Sequence, residues 1–279
     1  MSGHLTIRPL LMDEISLAVD WAAGEGWNPG LGDAVPFGVT DGEGFLVAEL
    51  DGAPAATISV VNYDARFSFL GFYIVRPDLR GRGIGWRLWQ AGRAHAGTRT
   101  VGLDGVVAQQ ANYAKDGFAF SHRNIRYGGP APSGGLGSCA PLADVSFAAV
   151  AASDALVFPA DRPAFLHAWI SAPGHVGRAL MREGRLAGWG VIRPARHGFK
   201  IGPLVAEDEA AAEEVFGALA ATAGGAALYF DVPEPNRAAV ALAERAELAP
   251  VFETARMYSG PIREVALDRL YGVTSFELG

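Results

Sequence analysis

Two turn signals in equivalent places divide this sequence into halves with the same order of elements. Asp51-Gly52 and Glu183-Gly184 each join two apolar, strand-favouring runs, which predicts a β-hairpin in each half. The two turns lie 132 residues apart, close to half of the 279-residue chain. In both halves the hairpin precedes a third strand, a helix, a strand, a short helix and a last strand. The sequence therefore predicts an α/β protein with a mixed α+β sheet, in which one unit is used twice.

A segment rich in glycine and proline separates the two halves. Residues 128–138 hold five glycines and two prolines, a composition that favours neither a helix nor a central strand. We therefore predict a first domain over residues 1–128, a linker over residues 129–145 and a second domain over residues 146–279.

Charge and hydropathy exclude several classes of protein. The formal net charge of −7 argues against nucleic-acid binding, which needs a basic face. No apolar run reaches the roughly 18 residues of a membrane span, and the N-terminus lacks the pattern of a secretion signal. A single cysteine, Cys139, excludes an intramolecular disulfide and agrees with a reducing compartment. We expect a cytoplasmic protein without a metal site.

Three alternating glycines mark the turn between the third strand and the helix that follows it. In the sequence Arg80-Gly81-Arg82-Gly83-Ile84-Gly85 the glycines let the backbone approach a ligand closely. The helix N-terminus offers unpaired N–H groups and a positive dipole end, and the arginines add charge. These features predict a site for an anion such as a pyrophosphate. The alternative is a tight turn with two solvated arginines.

The residues around these glycines distinguish three phosphate-binding patterns. A P-loop needs Gly-Lys-Ser/Thr, but Trp86-Arg87 follow Gly85. The dinucleotide fingerprint needs a glycine in place of Trp86. A third pattern, Arg/Gln-x-x-Gly-x-Gly/Ala, fits Arg80, Gly83 and Gly85 in register.

This loop and a second motif resemble the GNAT acyl-CoA N-acetyltransferases. The loop follows a strand and opens a helix as in that family, and residues 112–118 are similar to its Tyr-x-x-x-Gly-Phe motif. The resemblance covers residues 4–127 in order and spacing, and it implies that acetyl-CoA is the acyl donor. The residues that it assigns to acetyl-CoA are Ile74, Val75, Arg80, Gly81, Arg82, Gly83, Ile84, Gly85 and Asn112.

The resemblance also implies a direct transfer without an acyl-enzyme. The strand that ends at Val75 would bind the pantetheine and polarise the thioester carbonyl, and a neutral amine would attack that carbonyl. Tyr113 would protonate the leaving thiolate, because a phenol with a pKa of about 10 can donate to a thiolate with a pKa of roughly 8.5–10. The alternative role for Tyr113 is that of a packed core tyrosine.

The acceptor site is less clearly marked. The loop from Trp27 to Asp33 lies where this fold covers the acceptor, so Trp27 would pack on the acceptor's apolar part and Asp33 would pair with its ammonium group. A loop held by its own side chains is the alternative. For the base that takes up the amine proton, Glu25, Asp33, His122 and water stay open.

The second half lacks the phosphate signal. Glu207-Asp208-Glu209 stand where the first half has arginine and glycine, and they would repel a pyrophosphate while suiting a helix N-terminus. A bacterial two-domain GNAT subfamily with a degenerate C-terminal GNAT-like domain is similar at residues 26–33, 71–75, 201–204, 231–236, 256–258 and 276–279. That resemblance implies two tandem GNAT-like domains, of which the second closes the acceptor site.

Several polar residues have simpler interpretations. Arg193, Arg196 and His197 fall in a predicted hairpin turn, and Arg126 lies at the end of a predicted strand, so we expect all four to be solvated. Asn236 stands where a helix begins, which predicts that it caps that helix.

The hypotheses for function fall into different classes. The first is an N-acetyltransferase, a monomer or homodimer, that acetylates the primary amine of a small molecule such as an amino acid. The second is a non-catalytic CoA-binding sensor, against which Tyr113 argues because a sensor needs no proton donor. Acylation of protein lysines or N-termini needs an open groove, which a second domain over the acceptor site disfavours.

Overall fold

Thirteen strands form one continuous mixed sheet in a computed structural model that describes residues 4–279. The first half contains β1 (Leu5–Pro9), α1 (Ile15–Gly24), α2 (Ala34–Gly38), β2 (Phe45–Leu50), β3 (Ala53–Asn62), β4 (Phe67–Val75), α3 (Ile84–Ala96), β5 (Thr100–Val106), α4 (Gln110–Lys115) and β6 (Ala119–Pro130). The second half contains β7 (Ala140–Pro141), α5 (Phe147–Val157), α6 (Pro163–Ile170), β8 (Val176–Arg182), β9 (Arg185–Pro194), β10 (Phe199–Ala206), α7 (Glu209–Ala220), β11 (Ala227–Pro233), α8 (Arg237–Arg245), β12 (Ala249–Tyr258) and β13 (Leu270–Gly272).

The repeat predicted from the hairpin turns is confirmed. Strands β2 and β3 pair across Asp51-Gly52, and β8 and β9 pair across Glu183-Gly184. All four turn residues have positive φ angles between 49° and 81°, the backbone that a tight hairpin requires. Each hairpin is followed by a strand and a helix, as the sequence pattern predicts.

The two halves exchange their last strands. The order across the sheet is β1-β2-β3-β4-β5-β12-β6-β11-β10-β9-β8-β7, with β13 beside β10. Strand β12 from the second half thus lies between β5 and β6, and β6 from the first half lies between β12 and β11. Each half completes its sheet with a strand of the other, so side chains from both halves meet at the centre.

This exchange corrects part of the linker prediction. Residues 128–130 belong to β6, where Gly128 pairs with Tyr229 on one side and with Ala249 on the other. Composition reflects only local preference, whereas strand partners, on both sides for Gly128 and on one side for Gly129, pair with the backbone of these glycines. The placement of the domain boundary between residues 128 and 146 stays a prediction.

An apolar core joins the halves on the face that carries α1, α2, α5 and α6. Phe37 of α2 lies 5.7 Å from Trp169 of α6, ring centroid to ring centroid, and is fully buried. The opposite face packs α3 on the first half and α7 and α8 on the second. Burial of aromatic side chains from both halves in one core holds the halves in a defined relative position.

Within residues 4–279, none of the helices has the length and hydropathy needed to span a membrane.

Candidate active site

A cavity of about 530 Å³ opens where β4 and β5 stop pairing. The two parallel strands are paired from Phe67–Leu70 against Thr100–Leu103, and the residues that follow on both strands line the cavity. We call it the main cavity, and its lining comprises Glu25, Trp27, residues 70–75, 79–81, 83–86 and 103–106, Gln109, Tyr113, Phe252, Thr254, Phe276 and Glu277.

An irregularity in β4 redirects the strand at this point. Phe72 has a φ of 47°, in the left-handed region that side chains disfavour, and the register between β3 and β4 shifts between Thr57 and Ser59. The Phe72 carbonyl accepts a hydrogen bond from the Thr57 hydroxyl at 3.0 Å. Bulges of this kind bend a strand and often adjoin active sites.

The glycine turn leaves a helix N-terminus open to the main cavity. Gly81 and Gly83 have φ angles of 75° and 77°, and no atom lies within 4 Å of where a side chain would begin. Gly83 caps α3 without a side-chain hydrogen bond, so the first N–H groups of the helix have no partner from a capping side chain. Gly85 is required for packing, because a Cβ there would lie 2.6 Å from the Tyr73 hydroxyl. This arrangement suits a bound anion.

The two arginines of the turn differ in position. Arg80 lines the main cavity, where its Nη2 donates to Glu25 Oε1 at 2.5 Å and its Nε donates to the Val75 carbonyl at 2.9 Å. Arg82 is exposed and is not among the lining residues. Of the two arginines of the turn, only Arg80 lines the main cavity.

Tyr113 stands between the main cavity and a second cavity. The second, of about 410 Å³, is lined by Tyr73, Trp86, Trp89, Gln109, Asn112, Tyr113, Lys115 and Asp116. The ring of Tyr113 stacks on Trp89 with centroids 5.7 Å apart. Burial, with a smaller contribution from Tyr73, raises the pKa of Tyr113 to about 12. Its phenol is consequently protonated at neutral pH.

Tyr73 is a second phenol in the same place, which the sequence patterns did not single out. It lines both cavities, and burial raises its pKa. It stands on β4 two residues before Val75, and only the alternation of side chains along that strand points to it.

The structure corrects the prediction for Asp33. The Asp33 side chain is fully buried and is absent from the cavity lining. Its carboxylate accepts from Arg193 Nε at 2.9 Å and from the Gly30 backbone N–H at 2.8 Å. A carboxylate already paired in the core is not available to an acceptor's ammonium group. Trp27, by contrast, does line the main cavity.

Two arginines predicted to be solvated are buried instead. Arg193 is fully buried in β9 and forms an ion pair with Asp33. Its guanidinium carbon lies 4.4 Å from the centroid of the Trp169 ring. Arg126 is 3% exposed, and its guanidinium makes two hydrogen bonds to Asp231, of 2.6 and 2.8 Å. Strand exchange explains why Arg126 is buried, because β11 and β12 pair with β6 on its two sides.

The remaining predictions for polar residues follow local structure. Arg196 is exposed and pairs with Asp20. Asn236 caps α8, where its side chain accepts from the Ala239 N–H at 3.1 Å. Asp208 caps α7 by accepting from the Ala211 N–H at 2.8 Å, so a carboxylate occupies the helix end that corresponds to the glycine turn.

None of the three predicted base candidates is a free group in the main cavity. Glu25 lines it but is paired with Arg80. Asp33 is paired with Arg193. His122 is not among the lining residues, and burial together with Arg256 lowers its pKa to about 3. Among residues 4–279, no group of three or more metal-ligating side chains is found.

The second half completes the main cavity with residues that the sequence analysis did not assign. Phe252 and Thr254 come from β12, while Phe276 and Glu277 come from the C-terminal tail. The tail crosses β4 at Gly71, where a Cβ would lie within 3 Å of three main-chain atoms of Glu277. The signal that could have found the tail was its resemblance to the end of two-domain relatives.

Comparisons with known proteins find an acetyltransferase domain in each half of the chain. The model described as "Acetyltransferase (GNAT) family" matches residues 14–118, and the one described as "Acetyltransferase (GNAT) domain" matches residues 150–272. The holothin acyltransferase of Pseudoalteromonas sp. (strain SANK 73390) is 32% identical over 98% of this chain and 94% of its own length.

Solved structures share the fold over nearly the whole chain. A putative acetyltransferase from Pyrococcus horikoshii superposes with a TM-score of 0.83 at 24% identity, covering 99% of this chain and 96% of that one. A tandem GNAT protein from the clavulanic acid biosynthesis pathway superposes with a TM-score of 0.62 at 16% identity, covering 92% of this chain and 99% of that one. At these identities the structural likeness concerns the fold alone.

Proposed function

Because this chain belongs to the GNAT acetyltransferase family and is an acyltransferase, we propose that it transfers the acetyl group of acetyl-CoA to the primary amine of a small molecule. One observation carries the proposal. The open helix end at Gly83, the free edge of β4 and the protonated phenol of Tyr113 all face one cavity.

The donor side of the cavity fits an acyl-CoA. The N–H groups of residues 82, 83 and 85 and the positive charge of Arg80 would hold the pyrophosphate. Ile74 and Val75 pair with β3 on one side, and no strand among residues 4–279 pairs with their other edge because the pairing with β5 ends at Leu70; the Val75 carbonyl accepts from Arg80 Nε. An extended pantetheine can add to that edge as a strand would, and a free N–H there would polarise the thioester carbonyl. Asn112, on the second cavity, would contact the part of CoA that leaves the main cavity.

The chemistry is a direct attack. The amine nitrogen, after losing one proton from its ammonium form, bonds to the thioester carbon, and the carbon–sulfur bond breaks. Tyr113 donates its hydroxyl proton to the departing thiolate, and the second proton of the nitrogen restores the phenol. Because the pKa of Tyr113 is about 12, this donation is uphill by roughly 2–3 pKa units, or about 3–4 kcal/mol. Cys139 lines neither cavity, and burial raises its pKa to about 11, which argues against an acyl-enzyme.

The acceptor proposed is a small molecule. Phe252, Phe276 and Trp27 line the cavity and give it apolar walls, which suit a small molecule. The name of the relative from Pseudoalteromonas, an acyltransferase for holothin, supports the same class. Catalytic function in the family weighs against the sensor hypothesis. A monomer or homodimer in the cytoplasm stays a prediction.

The test is thiol release from acetyl-CoA in the presence of amino acids, polyamines, aminoglycosides and benzylamine. Release with one class of amine would establish the reaction and the acceptor class. Tight acetyl-CoA binding without release with any of these amines would contradict the proposed amine transfer. Absence of acetyl-CoA binding would contradict the assignment of the glycine turn.

A further inference from the structure

Three carboxylates line the main cavity, and they differ in their partners. Glu25 is held by Arg80 at 2.5 Å. Asp104 accepts from Arg256 at 2.6 and 2.8 Å and from Asn124 Nδ2 at 2.7 Å. Glu277 is 2% exposed, and neither of its carboxylate oxygens has a hydrogen-bond partner among residues 4–279.

A buried, unpartnered carboxylate is unusual enough to require an explanation. Burial of an ionised group without hydrogen bonds costs several kcal/mol, on the order of 1–3 for an ordinary unsatisfied group and more for a charge. In a native protein such a group points to a catalytic role or to a partner, such as an ion or a water molecule, that binds there. An ammonium group carries three donors and a positive charge, so it is the ligand that matches Glu277.

A second unpartnered group lies in the same cavity. Thr254 is 2% exposed, and its hydroxyl has no hydrogen-bond partner among the described residues. Alternation along β12 places Thr254 on the same face of the sheet as Phe252, which also lines the cavity. Aromatic walls from Phe252, Phe276 and Trp27 add faces that attract a cation.

Arg126 and Lys200 are the cationic neighbours of Glu277. Arg126 is bound to Asp231 and to the Trp27 carbonyl, and the Lys200 ammonium has no hydrogen bond and lies 3.8 Å from Asp231. Burial and Arg126 lower the pKa of Lys200 to about 8, while Asp231 and Glu277 act in the opposite direction. Both cations have Asp231 as a partner, and neither makes a hydrogen bond to Glu277.

We propose that Glu277, supplied by the C-terminal tail of the second half, binds the ammonium group of the acceptor and accepts its proton, with Thr254 as a further hydrogen-bond acceptor. This rests on the proposed function and specifies its substrate class as primary amines that are protonated at neutral pH. In the step, one N–H bond breaks, its proton passes to a Glu277 oxygen, and the freed electron pair of the nitrogen bonds to the thioester carbon. Glu277 then releases the proton to solvent.

The experiment compares two amines of similar shape, benzylamine, which is an ammonium ion at pH 7, and aniline, which is neutral there. Transfer from acetyl-CoA is measured for the wild type, Glu277→Gln, Glu277→Asp and the control Glu253→Gln, whose exposed carboxylate pairs with Arg123. Calorimetry follows acetyl-CoA binding in every variant, and benzylamine binding to the protein saturated with CoA.

We expect Glu277→Gln to lower kcat/KM for benzylamine by about 10²–10⁴-fold and its binding by roughly 10- to 100-fold. Acetyl-CoA binding stays unchanged, and the rate with aniline falls much less than the rate with benzylamine. The remaining benzylamine rate rises about tenfold per pH unit as the free amine becomes available, and Glu277→Asp restores part of the activity. Glu253→Gln behaves as the wild type.

Equal losses for both amines in Glu277→Gln, or no loss for benzylamine, would overturn the proposal for Glu277 while leaving amine transfer intact. A wild-type protein that binds acetyl-CoA and acetylates neither these amines nor any other in the panel would instead refute the proposed function itself.

Discussion

The buried ion pair between Asp33 and Arg193 offers a direct test of how the halves are joined. Asp33 lies in the first half and Arg193 in the second, and both side chains are fully buried. Replacing Asp33 with alanine leaves the Arg193 guanidinium stacked on Trp169 and, among residues 4–279, with one long hydrogen bond of 3.5 Å to the Gly202 carbonyl. It also removes the acceptor of the Gly30 N–H. We therefore expect a loss of stability, with no specific effect on the acceptor.

The magnitude follows from the two interactions lost. Breaking one side of a buried ion pair costs about 3–5 kcal/mol, and the orphaned Gly30 N–H adds roughly 1–3 kcal/mol. The sum is a large fraction of the 5–15 kcal/mol or so by which domains are stable. Urea unfolding followed by far-ultraviolet circular dichroism measures the change as a lower midpoint.

A double variant distinguishes the cost of an unpaired buried charge from a general loss of stability caused by any substitution at Asp33. Asp33→Leu combined with Arg193→Met removes both charges, so it should recover most of the stability lost by Asp33→Ala. Wild-type stability of Asp33→Ala, together with a raised KM for the amine, would refute the assignment. That result would return Asp33 to the acceptor site.

Three further predictions follow from the site and from a buried histidine. Gly83→Glu should abolish acetyl-CoA binding in calorimetry, because a side chain and a negative charge would meet the pyrophosphate; unchanged affinity would exclude the turn as its site. Tyr113→Phe should keep acetyl-CoA affinity and slow thiol release by about 10–10³-fold, whereas Tyr73→Phe should leave the rate of thiol release unchanged. A slower rate in Tyr73→Phe and an unchanged rate in Tyr113→Phe would instead assign the proton donor to Tyr73. Burial, and to a smaller extent Arg193, lower the pKa of His175 to about 4. Between about pH 6.5 and pH 4 the unfolded chain therefore binds more protons at this histidine than the folded protein does. The free energy of unfolding should consequently fall as the pH drops through this range. The drop in urea midpoint between pH 7 and pH 5 should shrink in His175→Phe, and an identical drop would exclude this histidine as a cause.

Local patterns were sufficient for the elements and for the glycine turn at the start of α3. The two hairpins, the strand and helix around the glycine turn and the cap at Asn236 all depend on neighbours within a few residues. Backbone preferences and capping act over that range, so periodicity and turn residues predict them. The glycine turn belongs to the same class of feature.

Strand exchange lay beyond such patterns. Nothing near Gly128 or Val251 in the sequence indicates that β12 inserts between β5 and β6. Arg126 was wrongly expected at an exposed strand tip for that reason, since its burial comes from strands more than 100 residues away. Asp33 was assigned to the acceptor for the same reason, because its partner Arg193 is 160 residues distant.

The sequence by itself determined the repeated α/β unit, the open helix end at Gly83 and the position of Tyr113, since each depends on residue types at short spacing. Only the tertiary structure decided which charges are paired and which one stays free in the main cavity. A carboxylate has the same chemistry at Glu25, Asp104 and Glu277, and what separates them is the partner that distant parts of the chain bring within hydrogen-bond reach. Two of the three are neutralised by arginines, and Glu277 is left for the acceptor proposed here.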